Sequence, residues 1–327
     1  MTMTPHVSIN LCCYNSARFL EETLQSVFVQ TYTDWELVIV DDASTDGTDA
    51  VIQRHIAAGR PIVYHRAPRN MGEGAARDLA LRLSRGTLIA FIDHDDVWVP
   101  HKLARQVPRF ERDPRLGIVY SDCLNLWGNG HLFRQFQKLK PASGEAYRYL
   151  LRQFAISIQT AVVHRRVLEG EAVGFDPRFQ MLSDMDFFLR IAYRWWVDVV
   201  NEPLVCVRMH QQSLTHTRPD RMPVEMRMVL QKQRDLIPDF DRTFAGEAAR
   251  FEFGIARLEA RLAWARGRRR EAMEGLRPYR WRYVEAFRDR WLMQCVPYAS
   301  YQQVRVWLSR GAQALRLTRS LGCPSIQ

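Results

Sequence analysis

Residues 35–48 read Trp35-Glu36-Leu37-Val38-Ile39-Val40-Asp41-Asp42-Ala43-Ser44-Thr45-Asp46-Gly47-Thr48. The nearly continuous apolar run 36–40 is the kind of strand that a parallel sheet buries on both faces. It runs into a turn rich in helix-capping residues. Upstream, Val7–Leu11 is a short apolar strand. After the turn Tyr14-Asn15-Ser16, Leu20, Leu24, Val27 and Phe28 share one helical face. Downstream, the helix after Gly47 stops at Gly59 before Pro61. Strand 62–65, helix 73–83, the breaker Gly86 and strand 87–92 follow. Strands alternating with helices at this spacing imply an α/β fold whose parallel sheet is covered on both faces. Ligands in such sheets bind beyond the carboxyl ends of the strands. That rule singles out the turns at 13–16, 41–46 and 93–96.

Beyond residue 100 the pattern mixes. A helix over 101–112 ends before Pro114, strands are expected at 117–121, 157–163 and 205–209, and a helix at 184–195. Strand signals stop after about Pro223. Two helical stripes follow, Phe251/Ile255/Leu258/Leu262 and Val304/Leu308/Ala312/Leu315. The reading divides the chain into an α/β domain, 1–220, and a basic helical region, 221–327. Charge marks the same division: residues 221–327 hold 21 Lys/Arg against 11 Asp/Glu, and the remainder holds 25 of each. A chain of 327 residues, 47% apolar and 25% charged, excludes a disordered protein. No apolar run is long enough to span a membrane, and the first residues lack the features of a secretion signal, so a cytoplasmic location is expected. None of the six cysteines has metal-ligand spacing, and they read as buried or incidental thiols.

The densest chemical signal is Phe91-Ile92-Asp93-His94-Asp95-Asp96. Three carboxylates in four residues at a strand end repel one another unless a cation or hydrogen bonds compensate. A hard divalent ion takes such oxygens together with substrate phosphates, and a metal there could neutralise a departing diphosphate. The alternative is a solvated turn before helix 101–112. Asp41-Asp42 could accept hydrogen bonds from a base or ribose, or cap the helix after Gly47. Asn70-Met71-Gly72-Glu73-Gly74 opens a helix and could admit a phosphate, although it is neither a P-loop nor a dinucleotide fingerprint. Asp184 and Asp186 could cap a helix, or one could serve as a general base.

In this order the segments resemble the inverting family 2 glycosyltransferases of GT-A fold. The resemblance rests on the Val-Ser-Ile start, Tyr14-Asn15, Gln30-Thr31-Tyr32, the 35–48 segment, Asn70-Met71-Gly72 and Ala76-Arg77. It continues through 91–96, Pro100, Lys102-Leu103, Gly174-Phe175-Asp176, Asp184-Met185-Asp186 and Arg208-Met209-His210-Gln211-Gln212-Ser213, covering about residues 6–217. It implies a Rossmann-like donor half joined to an acceptor-facing half. By resemblance Cys13, Tyr14, Asn15 and Asp42 would contact the nucleoside, and Arg77 would belong to the donor site. Asp93 and Asp95 would carry the diphosphate and a Mg2+ or Mn2+ ion, Asp95 as direct ligand and His210 as a further contact. Asp184 would be the catalytic base. The implied donor is a nucleotide-sugar, UDP-linked, and the acceptor a glycan, lipid-linked or protein hydroxyl. The sequence departs from the family at Asp78, where Asn is usual, and at Ser183, where an acid is common. Ser183 leaves Asp184 with one acidic neighbour fewer.

The C-terminal third lies outside the resemblance. Arg266, Arg268, Arg269 and Arg270 cluster, and Trp281, Val284, Phe287 and Trp291 recur at helical spacing among further arginines. Such a stretch suits either an anionic membrane surface, at the inner face of the membrane, or packing on the catalytic domain or a partner. No motif supports nucleic acid. Two other functions compete with sugar transfer. A nucleotidyltransferase should show a glycine- and lysine- or arginine-rich loop after its first strand, which Cys12-Cys13-Tyr14-Asn15 is not. A catalytically silent binding module would be favoured by loss of Asp95 or Asp184, and both are present.

Overall fold

The computed structural model describes residues 5–127, 130, 132–169, 174–210, 213, 217–298 and 300. Two compact units emerge, one from the described residues of 1–150 and 154–209, the other from those of 151–153 and 210–316. The second stripe, at Val304–Leu315, and the pair Gln211-Gln212 lie outside the described residues, as does Cys323.

The first unit alternates β1 (Val7–Cys13), α1 (Ala17–Phe28), β2 (Trp35–Asp41), α2 (Thr48–Ala57), β3 (Ile62–Arg66), α3 (Glu73–Leu83) and β4 (Leu88–Asp93). These strands pair in parallel, in the order β3-β2-β1-β4. Strand β2 is buried on both faces, as its apolar run requires. Leu37 and Ile39 join Leu20, Leu24, Val27 and Ile52 from the helices on one side, while Val38 and Val40 meet Ala76 and Ala80 of α3 on the other.

The sheet continues through β5 (Val97–Trp98), α4 (Lys102–Arg112), β6 (Leu116–Trp127), β7 (Leu132–Arg134), α5 (Tyr147–Arg152), β8 (Val162–His164), α6 (Ser183–Arg194) and β9 (Trp196–Met209). Antiparallel β8 joins β4 to β6, and β9 pairs in parallel with β6. The result is a nine-stranded, mostly parallel sheet, with β7 branching from β6. Two strands differ from their expected lengths. Strand β9 runs for 14 residues and includes Pro203, which sits opposite Asp122 where the β6–β9 register shifts and no regular ladder bond is needed. The strand expected at 157–163 is a 3-10 turn, Ile158–Thr160, followed by the short β8. Side chains capture its carbonyls: the Trp98 indole donates to Gln159 O at 3.0 Å and Gln106 to Thr160 O at 2.8 Å.

The second unit is helical: α7 (Arg221–Leu236), α8 (Phe240–Thr243), α9 (Ala245–Ala265), α10 (Arg269–Gly275) and α11 (Val284–Cys295). Phe253, Ala260, Ala263 and Trp264 of α9 form a core with Ala272, Leu276, Ala286 and Met293. Of the expected stripe, Phe251 and Ile255 are buried, while Leu258 and Leu262 are half-buried. No helix among the described residues is long and apolar enough to cross a membrane.

Candidate active site

The three turns singled out by the strand ends lie side by side, because β1, β2 and β4 run in register and Cys13 pairs with Asp41 while Cys12 pairs with Asp93. Hydrogen bonds lock the first two turns together. Asn15, at φ +50°, accepts the Thr45 N–H at 2.8 Å, and its own N–H donates to Ser44 Oγ at 2.9 Å. Cys13 places its thiol in the core beside Val40, whereas Tyr14 stands exposed at the rim. Asp42 is buried and fastens the loop that leads into α3. Its two oxygens accept the Met71 and Gly72 N–H groups at 2.7 and 2.9 Å. Gly72 holds φ +87° there, a conformation open to glycine, and starts α3. Neither Asp41 nor Asp42 caps α2, whose N-cap position is Gly47, and the first N–H of the helix, that of Thr48, is accepted by Asp46 Oδ1 at 3.0 Å. Asp41 closes its own turn instead, accepting from Ser44 N–H at 2.9 Å.

Asp93 ends β4 and opens the acidic turn. Residues from both sides hold that turn in shape. Thr23 Oγ1 of α1 donates to His94 O at 2.9 Å, Arg208 Nη1 of β9 donates to Asp95 O at 2.8 Å, and Arg208 N–H donates to Asp96 Oδ1 at 2.9 Å. Arg208 also pairs with Glu22. Burial, reinforced by the charges of Asp95 and Asp93, pushes the Asp96 carboxyl well above its ordinary range.

Asp184 lies in the first turn of α6, half-buried, and accepts the Met185 N–H at 2.7 Å. An aromatic cluster fixes α6 against β4: Phe187 stacks on Phe175 at 4.3 Å, and Phe91 meets Phe175, Phe187 and Phe188 edge-on. Arg77 of α3 joins the two acidic groups. Its guanidinium donates to Asp93 at 2.9 Å, to Ser183 Oγ at 2.9 Å and to Glu73. Ser183 in turn donates to Glu73 Oε1 at 3.1 Å. Burial raises Asp184 to about 6, against the lowering pull of Arg77 and the Met185 N–H, with Asp93 adding to the rise. Burial likewise raises Glu73 to about 7, opposed by Arg77 and supported by Asp93 and Asp184.

Glu73, Ser183, Arg208 and Asp96 were missed as site residues. The i,i+4 spacing of Glu73 and Arg77 was the available signal for the first. The position that lost an acid at Ser183 has a carboxylate within hydrogen-bonding reach after all, supplied by Glu73 from α3. Asp186 takes the structural role, paired with Arg190 at 2.9 Å, which donates onward to Gly174 O. His210 follows Met209, the last residue of β9, and belongs to the second unit.

Residues 8–169 match the family model described as Glycosyl transferase family 2. An uncharacterized protein of Mycobacterium tuberculosis is 30% identical over 246 residues, 71% of this chain and 75% of that one. A UDP-Glc:alpha-D-GlcNAc-diphosphoundecaprenol beta-1,3-glucosyltransferase of Escherichia coli is 26% identical over 239 residues, 72% of this chain and 86% of that one. The solved structure of a mannosyltransferase from Pyrobaculum calidifontis, in complex with GDP-Man and Mn2+, matches with a TM-score of 0.62 over 94% of this chain and 86% of that one. At 19% identity that likeness is one of fold.

Proposed function

The chain belongs to glycosyl transferase family 2 and is a glycosyltransferase of GT-A-like fold, and from that premise we infer that it transfers a sugar from a UDP-linked donor to a hydroxyl group. The acceptor class we propose is a cell-envelope polysaccharide or lipid-linked glycan, in keeping with the lipid-linked substrate in the name of the Escherichia coli relative. The observation that carries the reading is the Arg77 bridge: one guanidinium holds Asp93 at the donor turn and Ser183 beside Asp184. The residues proposed as diphosphate carrier and base are thereby joined through one side chain at the C-terminal end of β4.

Among the described residues no three or more His, Cys, Asp or Glu side chains gather as a ready-made metal site, so the proposed divalent cation would draw on the two hard carboxylates that Asp93 and Asp95 offer in one turn. A bound Mg2+ or Mn2+ would supply charge neutralisation for the departing diphosphate. Asp93 and Asp95 would hold it, with donor phosphate oxygens completing the set. The turns at Cys13, Tyr14, Asn15 and Asp42 would receive the nucleoside. Arg77 orients Asp93 and keeps a positive charge beside the leaving group. The Asp184 carboxylate takes the proton of the acceptor hydroxyl as its oxygen bonds to the anomeric carbon. The bond from that carbon to the diphosphate breaks on the opposite side, which inverts the configuration. In domain terms, residues 1–220 would form the transferase and 221–327 a basic helical region.

The test is a thermal-shift screen of the full chain with UDP, GDP, CDP and dTDP, each with and without Mn2+. A ligand that binds only the folded chain adds about 2.7 kcal/mol of stability at a hundredfold excess over Kd. UDP with Mn2+ is expected to stabilise most, and Asp95→Ala to abolish the metal dependence. Asp184→Asn should retain the shift and lose transfer. Stabilisation by GDP alone would change the donor assignment, and no response from folded protein to any of the four would overturn the donor site.

A further inference from the structure

Helix α11 segregates its residues by chemistry. Ala286 and Met293 enter the core of the second unit. Both acids of the helix are already engaged there: Asp289, buried, pairs with Arg257 and Arg261, and Glu285 accepts from Arg250 at 2.7 Å. Arg290 donates to the Met273 carbonyl. The remaining face carries Val284, Phe287 and Trp291 at i, i+3 and i+7, with Trp281 one turn earlier. These four are exposed by 82, 60, 55 and 83%, although large apolar side chains normally avoid such exposure. Arg282 and Arg288 stand exposed among them, Arg288 also lying 3.4 Å from Asp289, and Arg280 lies 5.0 Å from the Trp281 ring centre.

A concentration of exposed apolar side chains marks an interaction surface. Its charge identifies the occupant. The exposed side chains from 281 to 291 include arginines and no acid. The aromatics project from a helix rather than line a groove, a shape that a fluid surface accommodates without a matching pocket. Tryptophan prefers the headgroup level of a bilayer, with its ring in the apolar layer and its N–H in the wet one. Guanidinium groups beside it meet lipid phosphates. We propose that this face of α11 docks the chain on an anionic lipid bilayer, with Trp281, Phe287 and Trp291 seated among the headgroups and Arg282 and Arg288 against their phosphates. The proposal does not depend on the assignment of donor or acceptor.

The experiment is sedimentation of the full chain with vesicles of phosphatidylcholine, with and without phosphatidylglycerol. Binding is expected only to the phosphatidylglycerol vesicles, accompanied by a blue shift of tryptophan emission and weakened by added salt. The triple variant Trp281→Ser, Phe287→Ser, Trp291→Ser and the double variant Arg282→Glu, Arg288→Glu should each weaken binding about tenfold or more. All five positions are exposed, and an unchanged circular dichroism spectrum and melting temperature would verify folding. The proposal is overturned if the wild-type chain stays in the supernatant, or if either variant binds as well as wild type. A vesicle-independent oligomer that the triple variant dissolves would overturn it too, making this face a contact between copies.

Discussion

Asp184 and Glu73 owe their raised pKa values first to burial, with the negative charge of Asp93 adding to both, and Arg77 restrains both. A base must be ionised before it can accept a proton. With its carboxyl at about 6, Asp184 holds its own proton below that pH. The value of kcat/KM should therefore fall as pH drops through about 6 and level off above it, as a pH profile would show. With its carboxyl at about 7, Glu73 is itself largely protonated where Asp184 titrates, so Gln reproduces the form it takes there and Arg77 keeps Asp93 as its charged partner. The acidic limb should therefore stay near pH 6 in Glu73→Gln, and a midpoint moved by a unit or more would mean that Glu73 is ionised beside Arg77 when Asp184 titrates. Asp42 presents a different kind of role. With both oxygens engaged by the Met71 and Gly72 N–H groups, Asp42→Ala takes the acceptor from two part-buried donors. About 1–3 kcal/mol of stability should be lost, measurable by urea denaturation. The sequence pointed to Asp42, Asp93 and Asp184 because carboxylates at strand and helix ends stand out in a linear reading. Glu73 was legible only as the i,i+4 partner of Arg77, because its other partner, Ser183, lies 110 residues away.

The elements that place these groups are a strand and a helix held by aromatic rings. Phe187 is fully buried, stacked on Phe175 and edge-on to Phe91. Phe187→Ala should cost about 3–5 kcal/mol in chemical denaturation, because the cavity cannot close between two fixed elements. Transfer should fall further than the loss of folded protein accounts for, since α6 carries Asp184. A full activity per folded molecule would show that α6 is positioned by other contacts. Strands β1 to β4 were readable from their apolar runs because each residue's burial follows from local pattern alone. The segment 157–163 reads equally apolar, yet its carbonyls at Gln159 and Thr160 are claimed by Trp98 and Gln106 from α4 and the preceding strand. Local pattern cannot register a competitor more than 50 residues away.

For the molecule as a whole, thiol chemistry reports how its interior is sealed. The five described cysteines are unpaired with one another, and of these only Cys295 is exposed. Cys13 and Cys123 are buried, and desolvation holds both thiols well above their ordinary values. Alkylation of the native chain should label Cys295 far faster than Cys13 or Cys123, which should react only in denaturant, as peptide mass spectrometry would reveal. Rapid labelling of Cys123 would mean that the sheet opens at β6. The sequence by itself determined the α/β class, the parallel start of the sheet, the helical and basic character of the C-terminal third, and the acidic turns at strand ends. These are consequences of periodicity and composition, which act over a few residues. Only the tertiary structure decided that Asp96 is buried behind the acidic turn and held by the Arg208 N–H, that Arg77 links Asp93 to the start of α6, and that Glu73 stands where the sequence lacks an acid. Burial and charge coupling depend on distances in space, and the chain brings those distances about only by folding.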